Sequence, residues 1–494
     1  MSEAMPGLPA APPPPPPRPA AAVILWRDGP DGREVFWVRR GHGLKFAGGF
    51  HAFPGGRVDE EDSRVPVAGL EGEEAVHVAA ACRELFEEAG VLLARGAERL
   101  PPAVRDEARH ALLDERVSFA DLLFRETLAL DPSLLAPAGR WVTPEAFPVR
   151  FDARFYLARL PTGQEASVWP GELSGGEFVP VGRALASWER GDALLHPPNW
   201  WGITAMARAA PPATLELLRH PPDDLLIEFQ RGVVLCGLRT PTLLPATHTN
   251  CWMLDLGPGG GVAVVDPGSP EPTEQARLDR VLGLLAAEGR PAREVWLTHH
   301  HVDHVGGLAP LVARGLPVRA HPETARRLPG GASFLPVDDG ELLHGRWRAL
   351  FTPGHAPGHL CFLDERSGAL VAGDMVSTLS TVVIDPPEGD MGLYLSSLER
   401  LRGLPARTLY PAHGSPAPSA AAKLDEYLAH RQMRAAKVET ALSPGGSLAE
   451  VTRAAYDDTP PMLLPVAERS CLATLLWLER TGRAHRSGGD WRRT

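Results

Sequence analysis

Residues 299–304 read His-His-His-Val-Asp-His, so His299, His301, Asp303 and His304 form an HxHxDH run, with Thr298 before it and Gly306-Gly307 after it. Imidazole and carboxylate are ligands that zinc accepts, and a catalytic site needs several of them convergent with one position left open. So dense a set does not suit an apolar core, where each ring and carboxylate would need its own partner. A solvated polar loop is the alternative. The strand-like Glu294-Val-Trp-Leu297 before the run and the glycine pair after it favour a strand end that presents ligands. His300 points away from its neighbours if the segment is extended, and it is left out of the ligand set. Three later stretches each offer another ligand at an apolar strand end: Thr352-Pro-Gly-His355-Ala-Pro-Gly-His359, Val371-Ala-Gly-Asp374 and Tyr410-Pro-Ala-His413-Gly. A sheet scaffold gathers distant residues on one rim in this way. Five histidines (299, 301, 304, 355, 413) and two aspartates (303, 374) suit two metal ions that share a carboxylate and make water nucleophilic near neutral pH.

A second set of chemical groups lies in the first half. Phe53-Pro-Gly-Gly56 is followed by Ala80-Ala-Cys-Arg83-Glu84-Leu-Phe-Glu87-Glu88-Ala-Gly90-Val91. On a helix Glu84, Glu87 and Glu88 crowd one side and repel, unless a cation compensates. A hard ion such as Mg²⁺ with oxygen ligands does so, and it also binds diphosphate. Arg83 can pair with Glu87 and hold the geometry. An acidic helix face in water is the plain structural alternative.

The elements that must position these groups are partly readable. Ala20–Trp26 and Val35–Arg39 read as neighbouring strands around an Asp31-Gly32 turn. Residues 74–88 have helical character, with Gly90 as the C-cap. Paired prolines at 211–212 and 221–222 separate this region from the next. Val233-Val-Leu, Cys251-Trp-Met-Leu and Val262-Ala-Val-Val read as buried strands, and the last 75 or so residues turn helical, with 424–442 the longest periodic stretch. The expected domains are a disordered Pro-rich tail over 1–19, a first domain over 20–222, a second over 223–416 and a small C-terminal one over 417–494. Ala/Pro richness around Pro12–Pro17 reads as polyproline II and not as a secretory signal.

Composition limits the rest. The 494 residues suit several domains, and a net charge of −11 gives no global attraction to nucleic acid. Gly and Pro, at 50 and 51 residues, are spread without period. Cys82, Cys236, Cys251, Cys361 and Cys471 form no CxxC pair, and a reducing cytoplasm fits such usage. No stretch reaches the roughly 18 apolar residues of a membrane span. A soluble protein without a membrane partner is expected, and its oligomeric state is left open.

The ligand run, with Asp266-Pro-Gly at an earlier strand end, resembles the metallo-β-lactamase superfamily over about 228–415. The resemblance implies two Zn²⁺: His299, His301 and His355 on the first, Asp303, His304 and His413 on the second, and Asp374 between them. It implies that Asp303 also takes a proton from the attacking water. Penicillin-cleaving members lack a bridging aspartate, so Asp374 speaks against antibiotic hydrolysis. His359 stands where relatives often have a histidine facing substrate; a turn-stabilising hydrogen bond is the other reading. Ser447–Tyr456 and Ala467–Arg483 read as two helices, a glycine and a basic end. They are similar to the winged-helix-like C-terminal domain of the lactamase-beta-2-like branch, which includes single-strand endoribonucleases and hydroxyacylglutathione-hydrolase-like proteins. Arg483, Arg486, Arg492 and Arg493 are phosphate-contact candidates, or a plain solvated end.

The first half resembles the Nudix signature REUxEExGU, and in particular the coenzyme A diphosphatase-like subgroup, over about 20–215. Arg39-Arg40, Phe46-Ala-Gly-Gly-Phe-His-Ala-Phe-Pro-Gly-Gly, Asp59, Trp141-Val-Thr-Pro-Glu, 150–156 and Pro197-Pro198 carry that likeness. It departs in the long spacing from Gly56 to Arg83 and in Ala75, where the signature has a glutamate; Glu73 and Glu74 lie nearby. By carry-over Glu84 and Glu88 hold Mg²⁺ or Mn²⁺ with the Gly56 carbonyl, Glu87 acts as base, Glu84 contributes to catalysis, and Glu172 is a weaker extra ligand. The implied fold is α/β and multi-domain: a Nudix α/β/α sandwich, a metallo-β-lactamase αββα sandwich and a small winged-helix-like helical domain. The implied function is a bifunctional hydrolase of small molecules. One half cuts a nucleoside-diphosphate-linked compound such as a coenzyme A derivative. The other cuts a thioester, ester or phosphodiester. The alternative is an endoribonuclease acting on single-stranded RNA, with an inactive or ligand-sensing Nudix module. Specificity is expected in loops around 100–130 and 320–345.

Overall fold

The computed structural model describes residues 13–41, 48–169, 171–222, 224–328 and 333–494. Residues 1–12 of the Pro-rich tail, Phe46-Ala47 of the first motif and 329–332 of the second specificity loop lie outside the described residues. The chain divides into two compact units, Pro13–Arg231 and Gly232–Thr494.

The first unit is built on a twisted sheet. Its strands run in the order His51–Ala52, Gly32–Arg40, Arg18–Gly29, Phe151–Arg159 and Ala136–Val142, with Gly55–Arg57 paired to the third of these and Leu173–Pro180 to the second. The Arg18–Gly29 strand is buried on both faces, and its alternation sends side chains to two separate cores. Ala21, Val23 and Leu25 meet the Gly72–Ala89 helix through Val78, Cys82 and Phe86. Ile24, with Val35 and Trp37, meets Trp188, Trp201 and Ile203 of the helices Val181–Arg190 and Pro197–Arg208. Helices therefore cover both faces in an α/β/α arrangement. Arg18 and Pro19, expected in the tail, instead open the first strand, in parallel register with Phe151 and Asp152. Proline is tolerated at the start of a strand, where its missing donor breaks few ladder bonds.

The second unit is a sandwich of two sheets. One has Val233–Arg239, His248–Asp255, Val262–Val265, Ala292–Trp296, Val318–Ala320 and Phe334–Pro336 in chain order, antiparallel at first and parallel from Val262 onward. The other has Leu342–Leu343, Trp347–Phe351, Leu360–Asp364, Ala369–Gly373 and Thr408–Pro411. Aromatic rings interlock between them: Trp296 lies 5.0 Å from Phe362, and Trp252 lies 5.1 Å from Tyr410. The alternate residues of the second sheet, Leu350, Cys361, Leu363 and Leu409, pack outward on Tyr394, Leu398 and Leu401 of the Met391–Arg402 helix and on Leu424 of the Ala420–Ala441 helix. On the first sheet's side the Pro272–Ala287 helix buries Leu278, Leu282 and Leu285, one stripe of its surface. Layers thus run α, β, β, α.

The C-terminal segment belongs to this same compact unit. Helices Leu448–Ala455 and Leu464–Arg480 share a core with the end of Ala420–Ala441, through Val438, Val451, Cys471 and Leu475. An unanticipated hairpin, Ala484–Ser487 with Asp490–Arg493, supplies a wing. Among the described residues no helix is long and apolar enough to cross a membrane.

Phe362 fills the space between the two sheets and is fully buried. Phe362→Ala is expected to destabilise the second unit by about 3–5 kcal/mol, read as an earlier midpoint in a denaturant titration followed by near-UV circular dichroism.

Candidate metal centres

The run that opens the second unit's site begins where the Ala292–Trp296 strand ends. Leu297 and Thr298 are buried, and the chain then turns through a short helix, Val302–Val305, so that ligands two and three residues apart face inward together. A close approach makes this turn possible: a Cβ on Gly268 would sit 1.9 Å from the Asp303 carbonyl oxygen. His355 sits in the turn between Trp347–Phe351 and Leu360–Asp364, Asp374 follows Ala369–Gly373, and His413 follows Thr408–Pro411. Every one of these residues stands at a strand's C-terminal end.

Nδ1 of His301 lies 2.9 Å from Nε2 of His299 and 3.0 Å from Nε2 of His355. An imidazole nitrogen carries one proton or one lone pair, so Nδ1 of His301 cannot serve both neighbours. Three lone pairs aimed at one point suit a cation. A tetrahedral ion at about 2.0–2.1 Å from each nitrogen would hold them roughly 3.3 Å apart. Asp303, His304 and His413 make a second group. Oδ2 of Asp303 lies 3.8 Å from Nε2 of His304 and 3.5 Å from Nε2 of His413. Asp374 stands between the groups: its Oδ2 is 3.5 Å from Nε2 of both His304 and His355, and its Oδ1 is 3.4 Å from Nε2 of His413.

The opposite nitrogens of four rings are engaged. His304 Nδ1 pairs with Asp266 at 2.8 Å, His355 Nδ1 donates to the Val383 carbonyl at 3.0 Å, and His413 Nδ1 donates to the His248 carbonyl at 2.9 Å. Nδ1 of His299 meets the Thr298 hydroxyl at 3.0 Å. Such partners fix tautomer and ring orientation and leave Nε2 lone pairs for a metal. Nε2 of His304 and Oδ1 of Asp374 are buried, with no hydrogen-bond partner among the described residues. Buried polar atoms are rarely left so, and the donor set therefore fits divalent ions. Burial opposes charge at both His413 and Asp303. The carboxylates of Asp374 and Asp303 nevertheless hold His413 up at about 10, and the charge of His304 with the hydrogen bond of His413 holds Asp303 down at about 2.

His359 is placed differently from its substrate-facing expectation. It is fully buried, Nδ1 meets the Thr352 hydroxyl at 2.9 Å, and Nε2 accepts the Asp374 N–H at 3.1 Å. Both its nitrogens are thus engaged inside the fold, one of them by the backbone of Asp374. His300 turns outward, with Nε2 at 3.1 Å from Glu388.

In the first unit the Gly72–Ala89 helix carries the three glutamates past the Gly55–Arg57 strand. A Cβ on Gly56 would meet Oε1 of Glu84 at 2.4 Å, so glycine there makes room for the carboxylate. Oε2 of Glu88 accepts the Gly55 N–H at 2.9 Å. Arg83 donates from Nη1 to Glu84 and Glu87, each at 3.0 Å, and from Nε and Nη2 to the two oxygens of Asp62 at 2.7 and 2.9 Å. Asp62 belongs to the 26-residue stretch between Gly56 and Arg83 that lengthens the motif and is itself 1 % exposed. It gives Arg83 a buried carboxylate partner where Ala75 offers none. Burial pushes Glu84 up to about 7, partly offset by Arg83 and reinforced by Glu87. Burial and the charge of Glu84 push Glu88 up to about 8. A cation beside these oxygens would offset both effects. Glu172 is exposed and engages Gly41 through its backbone carbonyl.

Comparison with protein families matches residues 244–413 to the metallo-beta-lactamase superfamily, 447–491 to the beta-lactamase associated winged helix domain and 16–193 to the NUDIX domain. The chain is similar to the lactamase-like protein nscB of Neosartorya fischeri, 30% identical over 276 residues that cover 52% of this chain and 80% of that protein. It is similar also to the lactamase-like protein vrtG of Penicillium aethiopicum, 30% identical over 254 residues, 48% of this chain and 77% of that one. Among solved structures, a metallo-beta-lactamase family protein of Thermus thermophilus matches 53% of this chain and 99% of its own at 25% identity and a TM-score of 0.46. A NUDIX hydrolase of Alicyclobacillus acidocaldarius matches 42% of this chain and 98% of its own at 29% identity and a TM-score of 0.38.

Two outcomes are expected from the partners of these sites. Asp266→Asn should weaken retention of one ion by about 10–100-fold in chelator competition; retention equal to wild type would contradict the role given to Asp266. Asp62→Ala leaves Arg83 short of its buried partner and should destabilise the first unit by about 3–5 kcal/mol, read in denaturant titrations.

Proposed function

The chain belongs to the metallo-beta-lactamase superfamily, and from that premise we propose a bifunctional hydrolase with one metal-dependent centre in each compact unit. In the second unit His299, His301 and His355 hold one zinc ion, Asp303, His304 and His413 hold another, and Asp374 touches both. When bound, such a pair supplies Lewis acidity and makes water acidic enough to attack near neutral pH. The residues do the rest. Asp303 turns Oδ2 toward Nε2 of His413 at 3.5 Å, among the donors for the second ion, and its carboxylate would take the proton of the attacking water. Asp266 and the carbonyls of Val383 and His248 keep three rings from turning. The bonds cut are those of a thioester, ester or phosphodiester in a small molecule. The observation that carries this reading is the pair of buried, unpartnered donor atoms, Nε2 of His304 and Oδ1 of Asp374, inside a seven-residue donor cluster.

In the first unit Glu84 and Glu88 hold Mg²⁺ or Mn²⁺ with help from the Gly56 carbonyl, and Glu87 takes the proton of the attacking water. Arg83 keeps Glu84 and Glu87 in place. The substrate is a nucleoside-diphosphate-linked compound, with a coenzyme A derivative as the best candidate. A role on single-stranded RNA has less support. Arg483 and Arg493 both lie 3.6 Å from Glu439, Arg486 lies 3.9 Å from Glu479 and Arg492 lies 3.7 Å from Asp490, so each already faces a carboxylate.

The test is a screen of diphosphate, thioester, ester, phosphodiester and single-stranded RNA substrates on the full chain and on Glu88→Gln and Asp303→Ala. Glu88→Gln should lose diphosphate hydrolysis, and Asp303→Ala the other activity, each by at least about 100-fold. Equal loss of both activities in both variants would contradict two independent centres. RNA cleavage without diphosphate hydrolysis would favour the ribonuclease reading.

A further inference from the structure

Residues 382–384 belong to no helix or strand, yet Val382 and Ile384 are buried. Buried irregular backbone must find partners for its N–H and C=O groups. In this segment they come from three directions. The Val383 carbonyl accepts Nδ1–H of His355 at 3.0 Å. The carbonyl one residue earlier, on Val382, accepts from Nη2 of Arg431 in the Ala420–Ala441 helix. The N–H one residue later, on Ile384, donates to Oγ of Ser470 in the Leu464–Arg480 helix at 3.2 Å.

Arg431 is 4% exposed, and its guanidinium lies 5.0 Å over the Tyr394 ring. Its Nε is buried without a hydrogen-bond partner. Among the described residues no carboxylate pairs with Arg431, which makes its burial costly to the fold, and what its Nη2 holds is the carbonyl next to the one that orients His355. The Leu464–Arg480 helix adds a second route. Nη2 of Arg480 donates to Asp390 at 2.7 Å, and the Asp390 N–H donates to the carbonyl of Gly354, the residue before His355, at 2.8 Å. By contrast, the orienting partners of His304 and His413 are Asp266 and the His248 carbonyl, both from the sheet scaffold.

We propose that Arg431 and Ser470 are positioning residues for His355: the C-terminal helices set the aim of its Nε2 and with it the affinity of the His299–His301–His355 site for its ion. The inference rests on the reading of the cluster as a two-ion centre. It gives the C-terminal helices a role in building that centre, apart from any contact with a macromolecule.

Metal-free full-length protein is titrated with Co²⁺, followed by optical absorption, and with Zn²⁺ in competition with a chromophoric chelator. Arg431→Met and Ser470→Ala should each weaken one of the two ions by about 10–100-fold and change that ion's cobalt spectrum, while the other ion binds as in wild type. Ser470→Thr, which keeps the hydroxyl, should restore the site. Folded variants that bind both ions as wild type does, or weaken both equally, overturn the proposal. If Arg431→Met does not fold, Ser470→Ala and Ser470→Thr decide it alone. Wild type that takes up no cobalt overturns the two-ion centre itself; wild type with two ions and unaffected variants overturns only the role of the C-terminal helices.

Discussion

Seven side chains with lone pairs or negative charge meet in a space from which water is largely excluded, and the second unit is arranged around that fact. Such donors repel one another unless positive charge lies between them. The opposite nitrogens of His299, His304, His355 and His413 are already engaged by a hydroxyl, a carboxylate or a carbonyl, so these rings cannot relieve the crowding by turning. The donor set therefore fits cations. The two sheets exist, in functional terms, to bring four strand ends to one rim, and the interlocked Trp296, Phe362, Trp252 and Tyr410 keep those ends at fixed spacing.

The first unit solves a related problem by other means. Its glutamates are also buried, but part of the compensation is internal. Arg83 faces Asp62 on one side and Glu84 and Glu87 on the other. Glu88 is left with a backbone N–H, and burial, reinforced by the charge of Glu84, pushes its carboxyl toward the neutral form. One chain thus shows two ways of burying charge: a guanidinium built into the helix that carries the acids, and a cluster in which the carboxylates of Asp303 and Asp374 face the rings of His304 and His413.

The donors of the second unit were legible because HxHxDH, the histidine turn and two further strand-end ligands differ from anything a core or a solvated loop requires. Their supports were not. Asp266 is a lone aspartate at a strand end, and only the fold brings it 38 residues along the chain to His304. His359 has the spacing of a site residue, yet a zero-exposure pocket beside Thr352 and the Asp374 backbone takes both its nitrogens. Asp62 was hidden in an insertion whose other acids, Asp59, Glu60, Glu61, Glu71, Glu73 and Glu74, are exposed. Arg18 and Pro19 look like tail by composition, but pairing with the distant Phe151 strand overrides that. Arg431 reads as one more helix arginine until the irregular 382–384 segment is seen folded against it. In each case the deciding contact spans a separation in sequence that local pattern does not report.

The central claim is that the rim of the second unit is a two-ion site, and diffraction from zinc-loaded crystals at energies on either side of the zinc absorption edge tests it most directly. The account predicts two anomalous peaks per chain, one among Nε2 of His299, Nδ1 of His301 and Nε2 of His355, the other among Asp303, His304 and His413, with Asp374 touching both. A folded, zinc-saturated protein with no anomalous peak on this rim, its rings rotated to hydrogen-bond one another, would contradict it.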